Sequence, residues 1–228
     1  MKDPYVYPDT FVLINRFNIR SQEELDEVES RIVPLNLSNL TLNPFPIKSV
    51  FDIKKVHKAL FGDLYDWAGE YRTINMYKEE PVLNGLSVEY SNYRNLETDL
   101  KKLDQEFGKI SWEKQSKTAT IDLLVRFISG LWKVHCFREG NTRTVTTFLY
   151  LLMKQHHFRV NADFIGKHAK YFRNALVLAS IGEYSEYEYL TEILLDSISG
   201  KVSNTNKYQT IRDYQVEKYE YQKHKYKD

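Results

Sequence analysis

Apolar residues recur at helical spacing along most of the chain. Leu25, Val28 and Ile32 form the first such face. Ser21 and Glu24 precede it as a capping box, and Pro34 is expected to end the helix. Ile53, Val56, Leu60, Leu64 and Trp67 form a second face, with Ser49 as cap and Gly69 as its expected end. Leu96, Leu100, Leu103 and Phe107 predict a third helix, closed by Gly108. Two denser segments follow, Ile121 to Trp132 and Val145 through Phe148, Leu149, Leu151 and Leu152 to Met153. Both read as buried helices. Asn161 opens a further segment that includes His168, Phe172 and Leu176. Ser185 and Glu188 predict a capping box before Leu190, Ile193 and Leu194, with Gly200 as C-cap.

The rhythm breaks in three places. Residues 1–20 hold Pro4, Pro8 and several aromatics, and read as an extended lead-in. In residues 72–90, Thr73 to Lys78 alternates weakly, like a short strand. Asn84-Gly85 between Leu83 and Leu86 is a hairpin-turn signal. On residues alone this is an ordinary surface hairpin. Residues 201–228 hold Tyr208, Tyr214, Tyr219, Tyr221 and Tyr226 among Lys, Gln and Glu. A solvated tail or a helix laid on the domain fits that composition, and a partner-binding segment stays open. The organisation expected is one all-α domain over residues 1–200 and a polar extension over 201–228.

Between the two dense segments lies a polar cluster, His135-Cys136-Phe137-Arg138-Glu139-Gly140-Asn141-Thr142-Arg143. A helix start has backbone N–H groups without intrahelical partners, and with the helix dipole they favour an anion. Gly140 permits a curled backbone, and Asn141 is a good N-cap type. Arg143 suits a helix start poorly unless a phosphate lies there. Glu139 beside an anion would repel it unless a cation such as Mg²⁺ sits between. His135 has the chemistry of a general base. Each residue alone has an ordinary structural reading. Together they read as a magnesium-nucleotide site with a base at its edge.

Composition adds limits. Lys+Arg 32 against Asp+Glu 31 gives a net charge of +1, with no global pull toward nucleic acid or an anionic membrane. The single cysteine, Cys136, excludes an internal disulfide framework. No apolar run approaches the ~20 residues of a membrane span. The opening Met1-Lys2-Asp3-Pro4 starts no signal peptide, so a cytoplasmic protein is expected, or an effector exported by another route. His156-His157 lack a carboxylate at metal-site spacing, and suit the C-terminal end of the helix dipole.

The cluster resembles the signature of the Fic (filamentation induced by cAMP) family, H-x-F-x-D/E-G-N-G/K-R-x-x-R. His135, Phe137, Glu139, Gly140, Asn141 and Arg143 match it. Trp67-Ala68-Gly69-Glu70-Tyr71-Arg72-Thr73 resembles the lead into that family's β-hairpin flap. Tyr7-Pro8-Asp9-Thr10 and Leu13-Ile14-Asn15 resemble a common opening of its N-terminal region. The resemblance implies an all-α fold with a small β-hairpin flap. It also implies transfer of AMP from Mg-ATP to a Ser, Thr or Tyr hydroxyl of a target protein, by a toxin or effector. His135 would be the catalytic base, Glu139 the Mg²⁺ ligand and Phe137 a core anchor. Lys78, Glu79, Arg138, Gly140, Asn141, Thr142, Arg143, Tyr171 and Asn174 would face the nucleotide. Ile74, Asn75, Met76 and Tyr77 would hold the target segment.

Two positions depart from the family pattern. Thr142 replaces Gly or Lys, and Thr146 replaces the second Arg. In that family the second Arg binds the γ-phosphate and pairs with a glutamate of an inhibitory helix, motif S/T-x-x-x-E-G/N. That motif is absent, which leaves a separate antitoxin protein, or no such control, as the expectation. Donors of UMP, phosphate or phosphocholine stay open beside ATP, as does a Fic-fold binding module of weak activity.

Overall fold

Eight α-helices build the chain, taken over residues 3–110, 112, 116–199, 205–209 and 211, which the computed structural model describes. They are α1 (Gln22–Leu42), α2 (Ile53–Phe61), α3 (Leu96–Phe107), α4 (Lys117–Val134), α5 (Asn141–Gln155), α6 (Ala162–Lys167), α7 (Ala169–Leu178) and α8 (Glu188–Ser199). The two dense apolar segments became α4 and α5, and they form the centre. Ile121, Leu124, Val125, Ile128, Leu131 and Trp132 of α4 are buried, as are Phe148, Leu149, Leu152 and Met153 of α5. Each such side chain contributes about 1.5–3 kcal/mol relative to exposure. Helices α3, α5, α7 and α8 pack on α4, while α2 packs on α1 and α5. No helix among the described residues is long and apolar enough to cross a membrane.

Several boundaries differ from expectation. Helix α1 runs through Pro34, although a proline there costs about 3 kcal/mol. Tertiary contacts hold its far half: Val33 and Leu40 are buried, and Asn36 Nδ2 donates to the Leu60 carbonyl at 3.1 Å. Helix α2 stops at Phe61 with Gly62 as C-cap, not at Gly69. The apolar period continues past it because the following turns bury Leu64 and Tyr65. Ser21, Asn161 and Ser49 do cap, the last with Asp52 as a complete capping box on the short 3₁₀ turn before α2. Ser185 does not cap α8, which starts at Glu188, with Thr191 N–H reaching the Tyr187 carbonyl. Gly200 lies outside the described residues, as do Tyr214, Tyr219, Tyr221 and Tyr226.

The segment expected as a hairpin turns at Asn84-Gly85, both with positive φ (51° and 83°). It has one isolated antiparallel bridge, Glu80 to Leu86, and a 3₁₀ turn over Pro81–Leu83. No strand forms between Thr73 and Lys78. The flap is therefore a turn-rich loop rather than a ladder. In the extension, Tyr208 is buried with its ring 5.4 Å from that of Phe164 and its hydroxyl bonded to Asp196.

Candidate active site

The site begins where α4 ends. His135 is the C-cap of α4, held in the left-handed region at φ 51°. That conformation is costly for a residue with a side chain, so the surroundings must impose it. Arg72 does much of the imposing. It is 2% exposed, and its Nε donates to the His135 carbonyl at 2.7 Å. Its other nitrogens reach the carbonyls of Ile74, Ser91 and Val134, and its own N–H reaches the Cys136 carbonyl at 2.9 Å. One guanidinium thus ties the loop that starts at His135 to both ends of the segment expected as a hairpin.

The His135 ring stacks on Tyr90 at 4.0 Å and meets Trp132 edge-on at 5.2 Å. Its Nδ1 faces the Trp132 carbonyl at 3.3 Å, so Nδ1 bears the proton. Nε2 then presents a lone pair and has no partner among the described residues. Burial, and then the charge of Lys78, push the imidazolium pKa well below the usual imidazole value. The ring is a neutral proton acceptor at neutral pH.

Below it the loop is pinned from inside. Asn141 Oδ1 accepts from the Phe137 N–H at 2.9 Å, and its Nδ2 donates to the Phe137 carbonyl at 2.7 Å. Asn141 is therefore a staple within the first turn, and Gly140, at φ 75°, is the N-cap. Phe137 is wholly buried and stacks on His57 at 3.9 Å. His57 takes the Gly69 N–H on Nδ1 at 2.8 Å and donates from Nε2 to the Glu139 carbonyl at 3.1 Å. Burial pushes its pKa down to about 4. Cys136 is buried and its thiol is pushed up to about 12 by burial, so it is inert filler.

The Thr144 N–H donates to the Gly140 carbonyl at 2.9 Å as α5 begins. The amides of Asn141, Thr142 and Arg143 are the unpaired donors of that turn. The start of α5 borders a cavity of about 440 Å³ lined by Lys78, His135, Glu139, Arg143, Lys170 and Arg173, among others. Four cations and one carboxylate face one space, with His135 at its edge. Burial raises the Glu139 pKa, but Lys78 at 3.1 Å, the Gly140 amide at 3.0 Å and Arg143 together hold it down at about 2. Glu139 is thus an anion among cations.

The expected residues divide. Lys78, His135, Glu139, Gly140, Asn141, Thr142 and Arg143 meet at this cavity. Arg138 does not: it turns to the lead-in, where Asp3 takes its Nε at 2.9 Å. Glu79 is exposed and does not line the cavity. Tyr171 and Asn174 are likewise absent from its lining. Tyr171 is buried against Tyr208, ring to ring at 4.9 Å, because α7 turns that face toward the extension. Of the flap residues, Tyr77 is 69% exposed, while Asn75 Oδ1 accepts from the Tyr93 N–H at 3.0 Å. Thr146 lines a neighbouring apolar cavity of about 340 Å³, with Pro34, Leu37 and Phe172. Arg143 is not free of a helix-borne carboxylate: Glu29 of α1 takes one of its nitrogens and also the Tyr65 hydroxyl at 2.8 Å.

Sequence reasoning missed Lys170 and Arg173, which come from an apolar-looking segment, and the ring partners His57 and Tyr90. Helical spacing from Tyr171 and Asn174 to Lys170 and Arg173 was the available signal. These lie on the next face of the same helix.

Residues 48–153 match the model of the Fic/DOC family. The protein adenylyltransferase VbhT of Bartonella schoenbuchensis is 28% identical over 186 residues, which span 80% of this chain and 36% of VbhT. The probable protein adenylyltransferase y4lH of Sinorhizobium fredii is 29% identical over 185 residues, 80% of this chain and 91% of y4lH. The probable protein adenylyltransferase Fic of Escherichia coli is 24% identical over 61% of this chain and 66% of its own length. The chain thus spans about a third of VbhT and somewhat under two thirds of the Escherichia coli protein. Among solved structures, the N-terminal Fic domain of Bep8 from Bartonella sp. 1-1C has a TM-score of 0.71 at 20% identity, covering 86% of this chain and 94% of that one. BepC of Bartonella tribocorum, solved with bound AMPPNP, has a TM-score of 0.69 at 20% identity, covering 85% of this chain and 95% of that one. Residues 48–153 thus match the Fic/DOC family model, and the chain shares the fold of those solved Fic domains.

Proposed function

We propose that this domain transfers the AMP moiety of Mg-ATP to a hydroxyl of a target protein. The observation that supports the reading most is the unpartnered Nε2 of a neutral, buried His135 at the edge of a cationic cavity beside the start of α5. Nε2 accepts the proton of a Ser, Thr or Tyr hydroxyl. The hydroxyl oxygen forms its bond to the α-phosphorus as the bond from that phosphorus to the β-phosphate bridging oxygen breaks. Pyrophosphate leaves with the electron pair. The amides of Asn141, Thr142 and Arg143 and the cations around them stabilise charge on the phosphates throughout.

The residues fit a magnesium ion. Glu139 is an ionised carboxylate beside the anion site, the hard-oxygen donor such an ion takes together with phosphate oxygens. Bound there, the ion would neutralise phosphate charge. Lys78 bonds the same carboxylate and is the group that must yield.

The exposed flap around Tyr77 is the surface proposed to hold the target segment by adding a strand. An antitoxin protein, if it acts on this site, has Arg143 as the motif's remaining guanidinium to engage. Toxin or effector use is the biological role proposed, in keeping with the Bartonella effector proteins among the structural relatives.

The test is transfer of label from ATP to protein in a lysate. Label at the α-phosphate should appear in protein, label at the γ-phosphate should not, and His135→Ala should abolish transfer. Transfer of γ-label would instead mark a kinase-type reaction. Labelled UTP or CDP-choline as the better donor would overturn AMP as the transferred group.

A further inference from the structure

Among the described residues Glu80 is the least exposed carboxylate, at 0%. It lies outside the family signature, at the base of the flap, beside the isolated bridge to Leu86. A buried carboxylate is costly unless it is paired and fully bonded. Glu80 is both. Arg173 of α7 grips it with two parallel bonds, NH1 to Oε2 at 2.7 Å and NH2 to Oε1 at 3.1 Å. The Tyr90 hydroxyl donates to Oε1 at 3.1 Å.

Both partners lead into the site. Arg173 lines the cationic cavity with Lys78, Glu139 and the start of α5, and it is 36% exposed there. The bidentate pairing uses one edge of the guanidinium and leaves further N–H groups for an anion. Tyr90 lies on the other side. Its ring stacks on His135 at 4.0 Å and meets Trp132 at 5.7 Å. One carboxylate therefore connects a cation of the anion cavity with the ring beneath the base.

Resting on the nucleotide-transfer reading above, we propose that Glu80 is a positioning residue for both halves of the site. It sets Arg173 as an anion contact supplied by α7, and through Tyr90 it sets the imidazole of His135. A carboxylate that merely neutralised Arg173 would oppose nucleotide binding. One that positions Arg173 favours it, because an ordered guanidinium loses less freedom when the phosphate arrives.

Three full-length variants test this: Glu80→Gln, Tyr90→Phe and Arg173→Lys. Each is followed by ATP titration calorimetry with Mg²⁺, by the ring-nitrogen NMR signals of His135, and by thermal melting. Arg173→Lys keeps the charge but loses the fork, and should weaken ATP by roughly tenfold or more while leaving the His135 signals in place. Tyr90→Phe keeps the stacked ring but loses its tether, and should move the His135 signals with ATP affinity within about twofold of wild type. Glu80→Gln should do both.

Tighter ATP binding in Glu80→Gln would overturn the positioning role in favour of neutralisation. Unmoved His135 signals in Tyr90→Phe would overturn the link to the base. If Glu80→Gln does not fold, the separate effects of Tyr90→Phe and Arg173→Lys still decide, since absence of either one refutes the proposal. If wild type binds no ATP, the nucleotide reading itself fails. The His135 signals then still report whether Glu80 and Tyr90 set the ring.

Discussion

A methyl group at Gly140 should be enough to disable the loop. An ideal Cβ built there lies 2.5 Å from two ring carbons of Phe61, far inside contact distance. Phe61 has little room to give way. It is 1% exposed, stacks near His57 at 4.8 Å, and has the Arg143 guanidinium over its ring at 4.8 Å. Gly140 also holds φ at +75°, where an L side chain costs about 1–2 kcal/mol. Overpacking adds about 1–3 kcal/mol. Gly140→Ala should therefore destabilise by roughly 2–5 kcal/mol, against a typical domain total of about 5–15 kcal/mol. For a chain of this size that lowers Tm by roughly 5–20 °C.

Denaturant melts of Gly140→Ala, Phe61→Leu and the double variant separate the two contributions. If the clash is real, shortening Phe61 relieves the alanine, and the double variant is less destabilised than the singles together by about 1–3 kcal/mol. Measured against Phe61→Leu, what remains in the double variant is the backbone cost alone. ATP binding should fall in Gly140→Ala even where the protein stays folded, because the loop must move the amides of α5. A variant within about 0.5 kcal/mol of wild type, or singles that simply add, would falsify this account of the turn.

Three further outcomes follow from the site. His135→Ala should lower transfer by about 10²–10⁴-fold yet leave Mg-ATP affinity close to wild type, measured by calorimetry beside a label-transfer assay. Glu139→Ala should weaken ATP only when Mg²⁺ is present; without the metal, release of Lys78 should leave affinity unchanged or improved, and equal loss in both conditions would mark a structural carboxylate. His57 is depressed to about 4 from 6.5, so the unfolded chain takes the proton first as pH falls. Its contribution is complete above the unfolded value and is lost as pH falls toward about 4, amounting to roughly 3 kcal/mol in the metal-free protein. Urea midpoints across that window should fall in wild type and fall less in His57→Gln.

Much of this site was legible because its chemistry is local. The base, carboxylate, glycine turn and first arginine lie within nine consecutive positions, 135–143, and periodicity alone set helices on both sides. What was not legible depends on pairing across the chain. Pro34 reads as a stop, yet α1 continues because Asn36 and Leu40 find α2 and the core. Arg138 sits inside the motif and reads as a phosphate ligand, yet Asp3, 135 positions away, takes it. Tyr171 and Asn174 lie on α7 outside the lining of the cationic cavity, which Lys170 and Arg173 of the same helix reach. The orientation of that helix is set by Tyr208 and by Glu80 on opposite sides, and neither is near α7 in sequence.

The missing second arginine takes on a different meaning in this light. Thr146 lies one helical turn after Arg143, but it lines the apolar cavity beside Pro34 and Phe172. A guanidinium placed there would leave that apolar wall to reach the phosphates. Cationic charge enters the cavity beside His135 instead from α7, through Lys170 and Arg173, and from the flap, through Lys78. Arg143, the arginine the motif retains, is shared with Glu29 of α1 at one nitrogen and faces Glu139 at 3.9 Å with another. The charge balance of the cavity thus rests on three segments distant in sequence. The absence of one motif arginine would remove a single contact from a cationic set that α7 and the flap complete.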